Sequence, residues 1–243
     1  MNAADLSPVP EAERTQPPLD LFLIFAAANV VATTMQTGAA LGARYSGNQA
    51  IGIALGGAVF GAVLVALLAP VGSRWGVPSM IAARAPLGYR GAQIVSGVLY
   101  LTNFAWIAVN NQIAASACAQ VFGGPGSARA WAAILGVAAV FVVARGPRAV
   151  GYADRIAVPL MAIAGAVLTY AAMTKAPPAA TAEAGALQPS PLWGLDVVIG
   201  YQVSWLLMFA DYSRYTRSGR AAATAVFAGL ALPALWLMPV GWT

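Results

Sequence analysis

Thr102-Asn-Phe-Ala-Trp-Ile-Ala-Val-Asn-Asn111 lies midway along an apolar run from about Gln93 to Ala119. A helix of roughly 20 such residues crosses a bilayer core of about 30 Å, so the run reads as a membrane span. Asn103, Trp106 and Asn110 recur within it at i, i+3 and i+7. With about 3.6 residues per turn, those side chains share one helix face. Amides are costly in hydrocarbon unless they find partners, so such a face belongs toward a bundle or a cavity. An indole beside amides suits a flat, polar, uncharged ligand that is stacked and hydrogen-bonded at once.

The composition extends this reading to the whole chain. Hydrophobic residues make up 60% of the 243 and charged residues 9%, against about 25% charged in soluble domains. Apolar stretches near Leu19–Leu41, Ala50–Val71, Gln93–Ala119, Trp131–Ala144, Ile156–Met173, Leu192–Ala210 and Ala221–Trp242 give seven expected spans, the fourth being short. The expected fold class is an all-α polytopic membrane protein. Gly57 and Gly61 form a G-x-x-x-G on the second span and are read as helix packing.

The net charge of +5 is topological. Arg74, Arg84 and Arg90 lie between spans two and three, Arg145, Arg148 and Arg155 between four and five, and Arg214, Arg217 and Arg220 between six and seven. Arg14 joins them on one side, while Arg44, Arg129 and Lys175 fall on the other. The positive-inside rule then places the N-terminus in the cytoplasm, and a bacterial inner membrane is the expected location. Basic residues distributed in this way do not form a nucleic-acid surface. The absence of His and the single Cys118 exclude an internal disulfide and remove the usual zinc and Ser–His or Cys–His chemistry. An enzyme is therefore not expected, and no cofactor is implied.

Residues 1–18 read as a cytoplasmic tail, and the Pro- and Ala-rich residues 176–191 as an external linker. The linker divides the chain into five spans (19–175) and two (192–243). Span one carries Asn29, Thr33, Thr34, Gln36, Thr37 and Gly38, and span six carries Gly200, Tyr201, Gln202 and Ser204. Inverted-repeat transporters place discontinuous helices at corresponding positions of their two halves. With five helices per repeat, spans one and six are those positions.

Four segments carry a family resemblance: Met35-Gln-Thr-Gly-Ala-Ala-Leu-Gly42, the Arg- and Gly-containing loop Gly76–Gly91, Thr102-Asn-Phe-Ala-Trp106, and Ala210-Asp-Tyr-Ser-Arg-Tyr215. In order and spacing they resemble the nucleobase–cation symporter family, and within it the cytosine permease branch. The resemblance implies a LeuT-like inverted-repeat fold and import of a nucleobase or related flat heterocycle, cytosine first. The driving gradient would be Na⁺ or H⁺, with Na⁺ as a coupling ion rather than a cofactor, and the partners a lipid bilayer and that small molecule.

Carried over by motif, Trp106 matches the stacking Trp, and Asn103 a position held by Gln in the cytosine permease. Gln202 stands where an aromatic of helix six is expected, with Tyr201 and Trp205 as neighbouring rings. Gln36 stands where an aromatic is common. Main-chain carbonyls near Ala27, Val30 and Val31 would take part in the cation site. Asp211 and Arg214, at i and i+3, are read as a pair at a helix end with a gating or structural role. The family fold has further helices after a seventh span, so the chain reads as an N-terminal portion of it. The competing readings are a seven-helix receptor or light-driven pump, against which Lys175 stands in a loop rather than a span, and a non-transporting remnant.

Overall fold

The computed structural model describes residues 7–123, 127–145, 147–174 and 189–242. Lys175, most of the expected linker and the first six residues of the expected tail lie outside the described residues. In chain order the helices are α1 (Pro18–Asn29), α2 (Ala32–Gly42), α3 (Gly47–Trp75), α4 (Ser79–Ala82), α5 (Arg84–Phe122), α6 (Ala128–Ala144), α7 (Pro147–Thr174), α8 (Pro191–Val203), α9 (Phe209–Ser213) and α10 (Gly219–Trp242). No strand occurs among the described residues.

Among the described residues five helices are long and apolar enough to cross a membrane, and a sixth span results if α1 and α2, bent by 52°, count as one. The expected fourth span, α6, is apolar but shorter. The seven expected stretches thus coincide with helical elements, and the chain is an all-α polytopic membrane protein. Two of its spans are not continuous helices. Span one breaks at Val30 (φ −83°, ψ 64°) and Val31 (φ −138°, ψ 159°), where β-branched side chains favour extended backbone. Span six passes from α8 through a 3₁₀ turn at Ser204–Met208 into α9.

The described helices divide into two compact units, Met1–Ser96 with Gly165–Thr243, and Gly97–Ala164. In the first unit α3 is the central post. Its buried face is a stripe of small residues, among them Ala54, Gly57, Ala58, Gly61, Ala62, Ala69 and Gly72, at the spacing that lets neighbouring backbones approach. A Cβ at Gly57 would stand 2.7 Å from that of Val198, and one at Gly61 2.6 Å from that of Gln202. The G-x-x-x-G of the sequence is therefore the seat of α8. Helix α10 closes the other side. Gly229 meets Phe25 of α1, and Gly38 of α2 lies against the Met238 backbone. Leu21, Phe25, Val65, Val226 and Leu230 form the core beneath.

The N-terminal segment straps one end of this unit. Arg14 donates from Nε to Val9 O (2.9 Å) and from Nη1 to Ser73 O (2.7 Å), a carbonyl in the last turn of α3. Val9 N–H bonds Gly76 O, and Gln16 N–H bonds Tyr215 O beyond α9. Gly76 ends α3 with φ +69°, the left-handed conformation that glycine adopts without steric cost. Ser73 Oγ donates to Ser213 O, and Ser213 Oγ to Ala69 O.

In the second unit, Asn111 Nδ2 donates to Ala132 O at 2.9 Å and ties α5 to α6. Phe122 and Trp131 add a ring contact at 5.6 Å. Ile107, Val137, Val140 and Ile163 are exposed, as expected of side chains that meet lipid.

Candidate functional site

The break in span one is held open by its own polar residues. The helical ladder of α1 ends with Val30 N–H on Ala26 O (2.9 Å), so Ala27 and the following carbonyls lie past the last helical donor. Thr34 Oγ1 donates to Asn29 O at 2.6 Å and also lies 2.7 Å from the Tyr201 hydroxyl. Thr33 Oγ1 is 3.3 Å from that same hydroxyl. A hydroxyl has one proton. The Thr34 proton is committed to the Asn29 carbonyl, so Tyr201 donates to Thr34 and accepts from Thr33. The chain of bonds runs Thr33, Tyr201, Thr34, Asn29 and stitches the break of span one to the end of α8.

Of the main-chain positions expected near a cation, Ala27 and Val30 keep carbonyls that no backbone donor reaches among the described residues. Val31 O accepts from Thr34 N–H at 3.1 Å in the turn that restarts the helix. Asn29, the last residue of α1, is fully buried, and neither its Oδ1 nor its Nδ2 has a hydrogen-bond partner.

Span six places its candidates differently from one another. Gln202 is fully buried against Gly61, and its Nε2 donates to Leu230 O at 3.2 Å while Oε1 has no partner. Leu230 adjoins the stretch of α10 in which Pro233 removes a backbone donor. Trp205 is half-buried, edge-on to Phe25 with centroids 5.7 Å apart. It is part of the packing of the core, and Tyr201 is the ring at the break. Ser204 Oγ bonds Tyr201 O at 2.7 Å, the local side-chain bond that competes with helical hydrogen bonding and accompanies the turn to 3₁₀. Gln36 is exposed on α2.

In the second unit the stripe on α5 is intact as helix geometry. Asn103 and Trp106 are half-buried and Asn110 is exposed. Asn110 Nδ2 turns back to Trp106 O at 2.9 Å, which occupies an amide expected to face a ligand.

The expected Asp211–Arg214 pair does not form. Asp211 Oδ2 is buried without a hydrogen-bond partner, while Arg214 Nη2 donates to the Tyr215 hydroxyl at 2.7 Å. The guanidinium lies 4.8 Å from the centre of that ring. Arg214 caps α9 in helical conformation, its N–H on Ala210 O, so the backbone keeps the i, i+3 spacing and it is the side chain that turns to Tyr215.

The sequence marks Asn29, Thr33 and Thr34 only as polar residues of span one, and Tyr201 as a ring beside Gln202, without joining them in one site. The signal was present in Asn29-Val-Val-Ala-Thr-Thr34, a β-branched doublet between an amide and two hydroxyls. Its meaning depended on which residue of span six would meet it.

Long apolar helices, two interrupted spans and polar side chains gathered at the interruptions define a polytopic membrane transporter. Residues 8–243 match the model of the family described as permease for cytosine/purines, uracil, thiamine, allantoin. The chain belongs to that family, and its class of activity is the transport of nucleobases and related compounds. No curated protein matches the chain.

Proposed function

We propose that this permease is a symporter that imports a nucleobase or related flat heterocycle, cytosine first among them, driven by a Na⁺ or H⁺ gradient. The observation that carries the reading is the stitched pair of interruptions: Thr33 and Thr34 beside the break of span one, bonded to Tyr201 at the end of α8. Interrupted helices at corresponding positions of two repeats are how inverted-repeat transporters expose main-chain groups at the membrane midplane. Spans one and six hold those positions if residues 19–175 form the first repeat and 192–243 open the second, as in a LeuT-like fold.

In this mechanism the unmet carbonyls of Ala27 and Val30 receive the cation. Within the first unit Gln202 offers the acceptor Oε1, and within the second Trp106, with Asn103 on the same face, offers a stacking surface for a flat ring. Transport proceeds by alternating access, in which each bound species stabilises the other's bound state by the same free energy. The N-terminus is cytoplasmic and the membrane is the bacterial inner membrane in this reading.

The test is uptake of radiolabelled cytosine, uracil, adenine and allantoin into proteoliposomes containing the chain. An imposed inward Na⁺ gradient and an imposed proton gradient form separate arms. Accumulation of at least one compound that collapses with one gradient is the expected result. Equal uptake with and without both gradients would remove the symport mechanism.

A further inference from the structure

Asn29 is at the end of α1, where the helix stops donating to its own carbonyls. It is fully buried, and both atoms of its side-chain amide lack a hydrogen-bond partner. Among the buried side chains of the described residues it is the one left with an unmet donor and an unmet acceptor together. Thr34 holds its main-chain oxygen and thereby fixes the backbone from which the amide projects. A buried polar group without a partner is retained at a cost to stability, and such groups call for a specific explanation.

We propose that the Asn29 side chain reads the edge of the transported heterocycle, Oδ1 accepting from an exocyclic amine N–H and Nδ2 donating to the ring nitrogen beside it. The inference rests on the nucleobase reading above and adds the group that recognises the base. An Asn amide is the complement of such a donor–acceptor edge, as in its two-bond contact with adenine. A cation would use Oδ1 alone and leave Nδ2 unmet, so the pair of unmet atoms favours the heterocycle. Its complete burial makes Asn29 the inner wall of the site, met by the base when alternating access opens the break.

The experiment compares the full chain with Asn29→Leu and Asn29→Ala, each purified in nanodiscs. Binding of cytosine is measured beside 2-pyridone, which lacks the exocyclic amine and the adjacent ring nitrogen. Melting temperature without ligand is recorded for every variant. The wild-type chain is expected to prefer cytosine by about tenfold or more, and both variants to lose that preference while still binding 2-pyridone. Asn29→Leu is expected to melt no lower than wild type, because an apolar side chain removes the unmet amide. Retained discrimination in a folded variant overturns the proposal. So does a change confined to Na⁺ dependence, which would assign the amide to the ion, or a fall in melting temperature of both variants with discrimination intact. If the wild-type chain binds none of cytosine, uracil, adenine or allantoin, the nucleobase reading itself fails and this inference falls with it.

Discussion

The Tyr201 hydroxyl lies 2.7 Å from Oγ1 of Thr34, the shorter of two bonds that join the interruption of span one to the end of α8. The residues are 167 positions apart in the chain. Because Thr34 donates onward to the Asn29 carbonyl, the tyrosine proton sets the direction of the whole relay. A break in a membrane helix exposes backbone groups that lipid cannot satisfy, and here side chains of both spans meet part of that demand.

Tyr201→Phe keeps the ring and removes the proton. Thr34 retains its bond to Asn29 O but loses its donor. Net hydrogen bonds contribute about 0.5–1.5 kcal/mol each, so a modest fall in thermal stability is expected, with a larger loss of uptake. Wild-type uptake by a folded Tyr201→Phe chain would show that the stitch between the two breaks is dispensable.

Trp106→Ala tests the stacking surface on α5. Base–aromatic stacking is worth roughly 1–3 kcal/mol, so binding of the preferred heterocycle should weaken about 5- to 150-fold at unchanged expression. Direct binding to purified chain reads this without reference to the transport cycle. Unaltered affinity would restrict Trp106 to helix packing.

Gly61→Ala tests the seat of α8. The new Cβ would stand 2.6 Å from the Cβ of Gln202, inside any tolerable contact, and a backbone atom must shift. Overpacking of this kind costs about 1–3 kcal/mol. A lower melting temperature is expected for Gly61→Ala, whereas Gly52→Ala, where a Cβ meets nothing within 4 Å, should melt like wild type.

Arg14→Ala tests the strap. The guanidinium ties the N-terminal segment to Ser73 O near the C-terminus of α3, where a cation also complements the helix dipole. Hydrogen bonds from a charged group contribute about 1.5–3 kcal/mol when buried, and partial exposure brings the expectation to the lower end. Limited proteolysis between residues 7 and 17 should accelerate in Arg14→Ala. An unchanged cleavage rate would mean that the backbone bonds of Val9 and Gln16 hold the strap alone.

Hydropathy, charge placement and small-residue spacing are local properties, and they were enough to determine the class of protein and the position of its helices. The expected stretch Leu192–Ala210 lies within Pro191–Ser213, and Ala50–Val71 within Gly47–Trp75, because about 20 apolar residues leave the chain no option but a helix across lipid. The Gly57–Gly61 pair was likewise legible as packing, since only glycine permits that approach of backbones. Motif order was enough for the family as well.

The partners of each polar side chain were decided by the tertiary structure. Asn103, Trp106 and Asn110 share a face by helix geometry, but whether an amide turns outward or back onto its own carbonyl, as Asn110 does, is a contest between nearly equal bonds. Asp211 and Arg214 have the spacing of a pair and keep it in the backbone, yet the guanidinium bonds the Tyr215 hydroxyl instead. Gln202 and Tyr201 are adjacent in sequence. One is buried on Gly61 and the other crosses to span one, a distinction set by where α3 and α2 lie. Asn29 carries the same lesson: any amide in an apolar run looks like one that will find a partner, and only the assembled helices left this one without.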